Sequence, residues 1–318
     1  MDFQILLSNL TNPTLLFFIL GVIATTLKSD LEIPESSSKF ISLYLLFAIG
    51  FKGGQELAHS HFGTEIIFSI LFGLFIASVI PLYTFFILKR KMQISDAGAV
   101  AATYGSVSAV TFVSAVSFLE VQQISFSGYM VAVMALMESP AIIVGVILMR
   151  HYDKEAERNL TTVFKHSFTN GSVLLILGSL FIGILADSKQ AEGIKPFTTD
   201  IFKGFLAIFL LEMGMVTAKR FGAFKKYGLF LTLFALLIPA LNGCTVAFLS
   251  GFVTNDVGNR FIFSILAASA SYIAVPAAMR LAAPTSDPGL YIPMALGLTF
   301  PFNITIGMPL YYAIVNRF

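Results

Sequence analysis

Residues 105–109 read Gly105-Ser106-Val107-Ser108-Ala109 and residues 269–272 read Ser269-Ala270-Ser271-Tyr272, and each run interrupts a long apolar stretch. Inside hydrocarbon every backbone polar group left without a partner costs several kcal/mol, so a helix is broken there only where it faces protein or a water-filled cavity. Paired interruptions at corresponding places in two halves of a chain point to discontinuous helices meeting around a ligand.

The rest of the chain sets these runs in a membrane. Of its 318 residues, 56% are hydrophobic and 12% charged, whereas a soluble domain carries about 25% charged residues. The mean hydropathy is +0.84. The apolar stretches lack two-residue alternation and are long enough to cross a hydrocarbon core of about 30 Å as helices. Spans are expected near 12–27, 39–57, 64–88, 95–119 and 124–149, and after a polar stretch near 171–186, 199–218, 227–251, 256–283 and 288–315. The amino end carries Asp2 with no basic region ahead of its first span, and it reads as retained.

Orientation follows from the basic residues, which gather in short cytoplasmic loops. Lys28, Lys39, Lys89, Arg90, Lys91, Arg150, Lys154, Arg158, Lys165, Lys219, Arg220, Lys225 and Lys226 all fall on alternate connections. Both termini are therefore expected outside. Five spans per half bring the second half in with opposite polarity, so a repeat has to be inverted. Echoes at an offset of about 161–164 residues agree with one: the run from Leu46 through Gly50 to Phe51 answers Leu210 through Gly214 to Met215, and Glu138-Ser139-Pro140 answers Thr299-Phe300-Pro301. The expected fold is an all-α membrane protein of ten transmembrane helices, a five-plus-five inverted repeat with discontinuous fourth and ninth helices. Its parts are residues 1–150, a cytoplasmic connection at 151–170, and residues 171–318.

At the breaks, Gly105 relieves the cost of unusual dihedrals, and the hydroxyls of Ser106, Ser108 and Thr111 can serve freed backbone groups. Pro276 is pre-set for the start of a half-helix just after Ser269 and Ser271. A restarted half-helix presents unpaired N–H groups and about half a positive charge at its amino end. Two of these facing one cavity offset roughly one negative charge, enough for a small monovalent oxyanion without Arg or Lys in the site. Half-helix carboxyl ends and hydroxyls supply hard oxygen ligands suited to sodium. The competing reading is that Ser, Gly and Ala here merely let helices approach closely.

Ionisable residues within spans form a second constellation, because each is costly there. Glu138 orients the neighbouring break, helps bind a cation, or as a neutral acid makes a helix-packing hydrogen bond; Glu212 reads as structural. Lys52 and Glu56, four apart near a span end, read as a solvated pair, and Arg280 as reaching the surface by snorkelling. Cys244 stands alone, which excludes a disulfide framework and a thiolate metal site. The four histidines form no H-E-x-x-H motif and no phosphate-binding G-x-x-x-x-G-K-[ST] occurs, so neither an enzyme nor an ATP-driven pump is expected.

At the two serine runs, and at Met137-Glu138-Ser139-Pro140-Ala141, Leu211-Glu212-Met213-Gly214-Met215 and the stretch from Ser269 through Pro276 to Arg280, the chain resembles the SbtA-like sodium-dependent bicarbonate transporters of cyanobacteria. The resemblance implies a core domain with crossed broken helices, a gate domain, a homotrimer, elevator-like movement and a PII-like regulatory partner. It also implies bicarbonate at the breaks, with substrate contacts at Gly105, Ser106, Val107, Ser108, Ser269, Ala270 and Ser271. Sodium, the coupling ion in place of any organic cofactor, would draw on Ser108, Thr111, Ser271, Tyr272 and Glu138. Where the cyanobacterial members carry an acidic residue in the second serine run, this chain has Tyr272. The function so implied is secondary active uptake of a small anion, with bicarbonate first, across a bacterial inner membrane. A transporter of another small carboxylate, a ligand-binding membrane sensor and a channel are the alternatives.

Overall fold

The computed structural model describes residues 13–58, 63–152, 171–220, 224–283 and 285–318. Most of the expected cytoplasmic connection, and the side chain of Arg280, lie outside them. Among the described residues the chain is helical with no strand. Among the described residues, six helices are long and apolar enough to cross a membrane: Thr64–Leu88, Ile94–Val121, Tyr129–Tyr152, Ser188–Lys219, Gly228–Phe252 and Pro288–Val315.

In chain order the helices are α1 (Pro13–Thr26), α2 (Glu35–Ala58), α3 (Thr64–Leu88), α4 (Ile94–Gly105), α5 (Ala109–Val121), α6 (Tyr129–Tyr152) and α7 (Gly171–Leu185). They continue as α8 (Ser188–Lys195), α9 (Phe202–Arg220), α10 (Phe224–Leu249), α11 (Val257–Ala268) and α12 (Ala274–Ala282). The last, α13 (Pro288–Val315), contains two π turns at Ala295–Thr299 and Asn303–Gly307. The short polar α8 buries none of its residues and is closed by an Asp187–Gln190 capping box, a local signal that span-by-span reading passed over.

Packing sorts the helices into two groups. In one, α2 lies along α7 and α1 along α9; the other gathers α3 to α6 with α10 to α13. Glycines explain the first. A Cβ on Gly50 or Gly54 would strike the carbonyls of Ile176 or Leu180 on α7, and one on Gly21 or Gly214 would strike Leu211 or Phe18 across the α1–α9 contact. Backbones held this close let small residues replace the hydrophobic drive that membranes lack.

The second group is organised around its centre. In the stretch Ile94–Val121, 94% of the most apolar window is buried, against 39% in Thr64–Leu88. The reason is side-chain size: Ala97, Gly98, Ala99, Ala101 and Ala102 allow α4 to be surrounded on all sides. Helix α3 turns Ile67, Phe68, Leu71 and Phe75 outward, as lipid contact requires.

Candidate functional site

Helix α4 ends at Gly105 and α5 begins at Ala109; α11 ends at Ala268 and α12 begins at Ala274. The Ser106 amide still bonds the Ala102 carbonyl, after which the backbone extends through Ser108. Ser108 then caps α5, its hydroxyl accepting from the Thr111 amide at 3.2 Å. Across the gap, Ser271 accepts from the Val275 amide at a long 3.5 Å.

The two breaks are stitched to each other. The Ser108 amide donates to the Ser269 hydroxyl (3.0 Å), and the Ser271 amide donates to the Thr103 carbonyl (2.9 Å). Backbone groups freed by one interruption are thus satisfied by the other, which allows unwound chain to persist in the interior. Gly105 backs onto Pro81 of α3, and a Cβ there would run into the proline ring. The Ser106 hydroxyl reaches the Glu138 carbonyl at 3.4 Å.

Beside the crossing lies a cavity of about 30 Å³, lined by residues that include Val107, Ser108, Ser271, Tyr272 and Glu138. Leu46 of α2 and Ile176 of α7 close it from the other helix group. Of the residues singled out from sequence, Gly105, Ser106, Thr111, Ser269 and Ala270 do not line it. Ser269 is occupied by the crossing and by its own bond to the Leu266 carbonyl (2.8 Å), while Thr111, 1% exposed, is turned into the core. Tyr272 faces the Ser108 hydroxyl, and its phenol approaches Met213 Sδ of α9 at 3.9 Å. It therefore spans the two helix groups.

The arrangement has two chemical faces. Half-helices α5 and α12 both start at the cavity, so first-turn amides and the positive ends of two dipoles converge on a space that suits a few heavy atoms. The hydroxyls of Ser108 and Ser271 and the carboxylate of Glu138 add oxygen ligands for a small cation.

Sequence reading missed Asn303. It is fully buried, donates to the Ala268 carbonyl at 2.7 Å where α11 ends, and accepts from the Tyr311 hydroxyl at 3.2 Å. An amide inside an apolar span was the available signal, obscured because Asn303-Ile304-Thr305 also fits a common glycosylation triplet. Asn303→Leu leaves that carbonyl unpaired, a loss of about 1–3 kcal/mol. A fall in the thermal unfolding midpoint of the purified protein checks this, and an unchanged midpoint removes Asn303 from the role.

A multi-pass helical membrane protein whose two broken helices meet at a small, mostly apolar cavity that carries Ser108, Ser271 and Glu138 in its lining has the architecture of proteins that bind a solute within the membrane. The particular family is also shown: a model of the Na+-dependent bicarbonate transporter superfamily matches residues 13–316, and the chain belongs to that superfamily. No curated protein matches the chain.

Proposed function

We propose that this protein is a secondary transporter that takes up bicarbonate with sodium, binding the anion between the starts of α5 and α12. The observation that carries the reading is the convergence of two half-helix amino ends on one cavity that also holds Ser108, Ser271 and Glu138. Membership of the superfamily supports the substrate class. In this reading the ten spans form an inverted repeat, which the matching α2–α7 and α1–α9 glycine contacts support. Helices α1, α2, α7 and α9 act as the gate, and the remainder slides past them as an elevator, carrying the cavity. A homotrimer in the inner membrane with both termini outside, and a PII-like partner at the connection, complete the proposal from family resemblance.

Tyr272 supplies no carboxylate to the cation site, so Glu138 takes that part, with Ser108 and Ser271 as neutral ligands. The test is a sodium jump applied to proteoliposomes, with labelled bicarbonate and a panel of competing small anions supplied outside. Accumulation that follows the sodium gradient, together with a weakened sodium dependence in Glu138→Gln, is the expected result. Binding without accumulation would point to a sensor, and flux that never exceeds the anion's own gradient to a channel.

A further inference from the structure

A second, larger cavity of about 310 Å³ opens along the seam between α2 and α5. Ile49 and Lys52 line it from α2, Val116 and Glu120 from α5, Thr199 from the π turn Pro196–Asp200 that precedes α9, and Lys203 from the start of α9. The small cavity at the helix breaks borders the same seam through Leu46 and Ala109. Glu120 lies twelve residues along α5 from Ser108, roughly 18 Å at 1.5 Å per residue. The wide cavity thus lies farther along the same α2–α5 seam than the narrow one.

At its end two ammonium groups grip one carboxylate. Lys203 Nζ lies 3.0 Å from Glu120 Oε2 and Lys52 Nζ 3.9 Å from Glu120 Oε1. Both lysines belong to the group holding α2 and α9; the carboxylate belongs to the group holding α5. A carboxylate is a planar monovalent oxyanion with the O–C–O edge of bicarbonate, so the lysines are already spaced for that shape. Glu56 and Asp200 also line the cavity, Glu56 interacting with Lys52. With Glu120 in place the cluster holds two cations and three carboxylates; with Glu120 withdrawn the charges balance and the lysines face any incoming anion. The side chains of Lys52 and Lys203 are 47% and 71% exposed, and ion pairs this solvated exchange readily.

We infer that Lys52 and Lys203 form a capture site for the transported oxyanion at the wide end of the seam, and that Glu120 occupies it as a built-in competitor until an external anion displaces it. The inference deepens the proposed transport function and rests on it for the identity of the anion. Capture of this kind raises the local anion concentration and acts on apparent affinity more than on turnover.

The test measures uptake against bicarbonate concentration in proteoliposomes for Lys52→Gln, Lys203→Gln and Glu120→Gln. Either lysine variant is expected to raise KM and Glu120→Gln to lower it, each by roughly two- to fivefold, the span of a partly exposed charge interaction. A simple latch between the helix groups is broken equally from either side. All three variants would then move the maximal rate in one direction with KM unchanged, and that result overturns the inference. A second readout needs no transport: Thr199→Cys in a Cys244→Ala background, labelled with an anionic or a cationic methanethiosulfonate. Glu120→Gln should favour the anionic reagent, Lys203→Gln should disfavour it, and bicarbonate should slow labelling. If these shifts occur in a protein that accumulates no bicarbonate, the capture site stands and the transport reading falls; an unchanged reagent ratio overturns the capture site.

Discussion

Ser271→Leu is expected to abolish bicarbonate uptake while the protein remains folded and monodisperse. The Ser271 hydroxyl faces a cavity of about 30 Å³, and a leucine side chain fills such a space with carbon. The fold does not depend on that hydroxyl: the stitch to α4 is made by the Ser271 amide, which leucine retains, and the hydroxyl's bond to the Val275 amide is long, at 3.5 Å. Ser108→Leu should act similarly on uptake with a larger cost in stability, because Ser108 also caps α5 and a lost cap costs about 0.5–2 kcal/mol. Ser271→Ala, which removes only the hydroxyl, should weaken apparent affinity by about tenfold, the worth of one hydrogen bond to a charged ligand at the low end of its range. Uptake at the wild-type level in Ser271→Leu would falsify the site assignment.

Gly214→Val is expected to disrupt folding, with loss of yield and a lower unfolding midpoint. On Gly214 any Cβ meets the Phe18 carbonyl of α1, and Gly21 makes the reciprocal approach to Leu211. Backbone can only separate, so α1 moves off α9 and the interface that closes this part of the protein opens. Overpacking of this kind costs about 1–3 kcal/mol, more when rigid backbone is the obstacle. Gly178→Ala on α7 is the control, since nothing lies within 4 Å of its Cβ direction; it should be neutral or stabilising by about 0.5–1 kcal/mol. Equal behaviour of the two variants would show that the α1–α9 contact is not made in the membrane.

These two residues differ in how visible their roles are from sequence. Gly214 stands in an apolar run two residues after Glu212, and the reason for it appears only when Phe18, nearly two hundred residues earlier, is brought against it. Ser271 announces itself, because a hydroxyl-rich interruption in hydrocarbon needs a local explanation. Lys52 shows the opposite case. Its nearest carboxylate in sequence is Glu56, one helical turn away, and the pairing rule for helices points there; the structure adds Glu120 from a different helix. Asn303 was legible as a polar residue in an apolar span, yet its partner, the Ala268 carbonyl, comes from a helix end that spacing alone does not place beside it.

The sequence by itself determined that this is a membrane protein built of helices, where those helices run, and that its interruptions coincide with its serine runs. Hydropathy and the cost of an unpaired backbone group are properties of a short stretch of chain, so a short stretch reveals them. Tertiary structure alone decided which hydroxyls face the cavity and which hold the crossing together. Ser108 and Ser271 line the space while Ser269 is taken up by the Ser108 amide from 161 residues away. That division depends on how each broken helix is rotated against the other, which is set by packing across the whole chain.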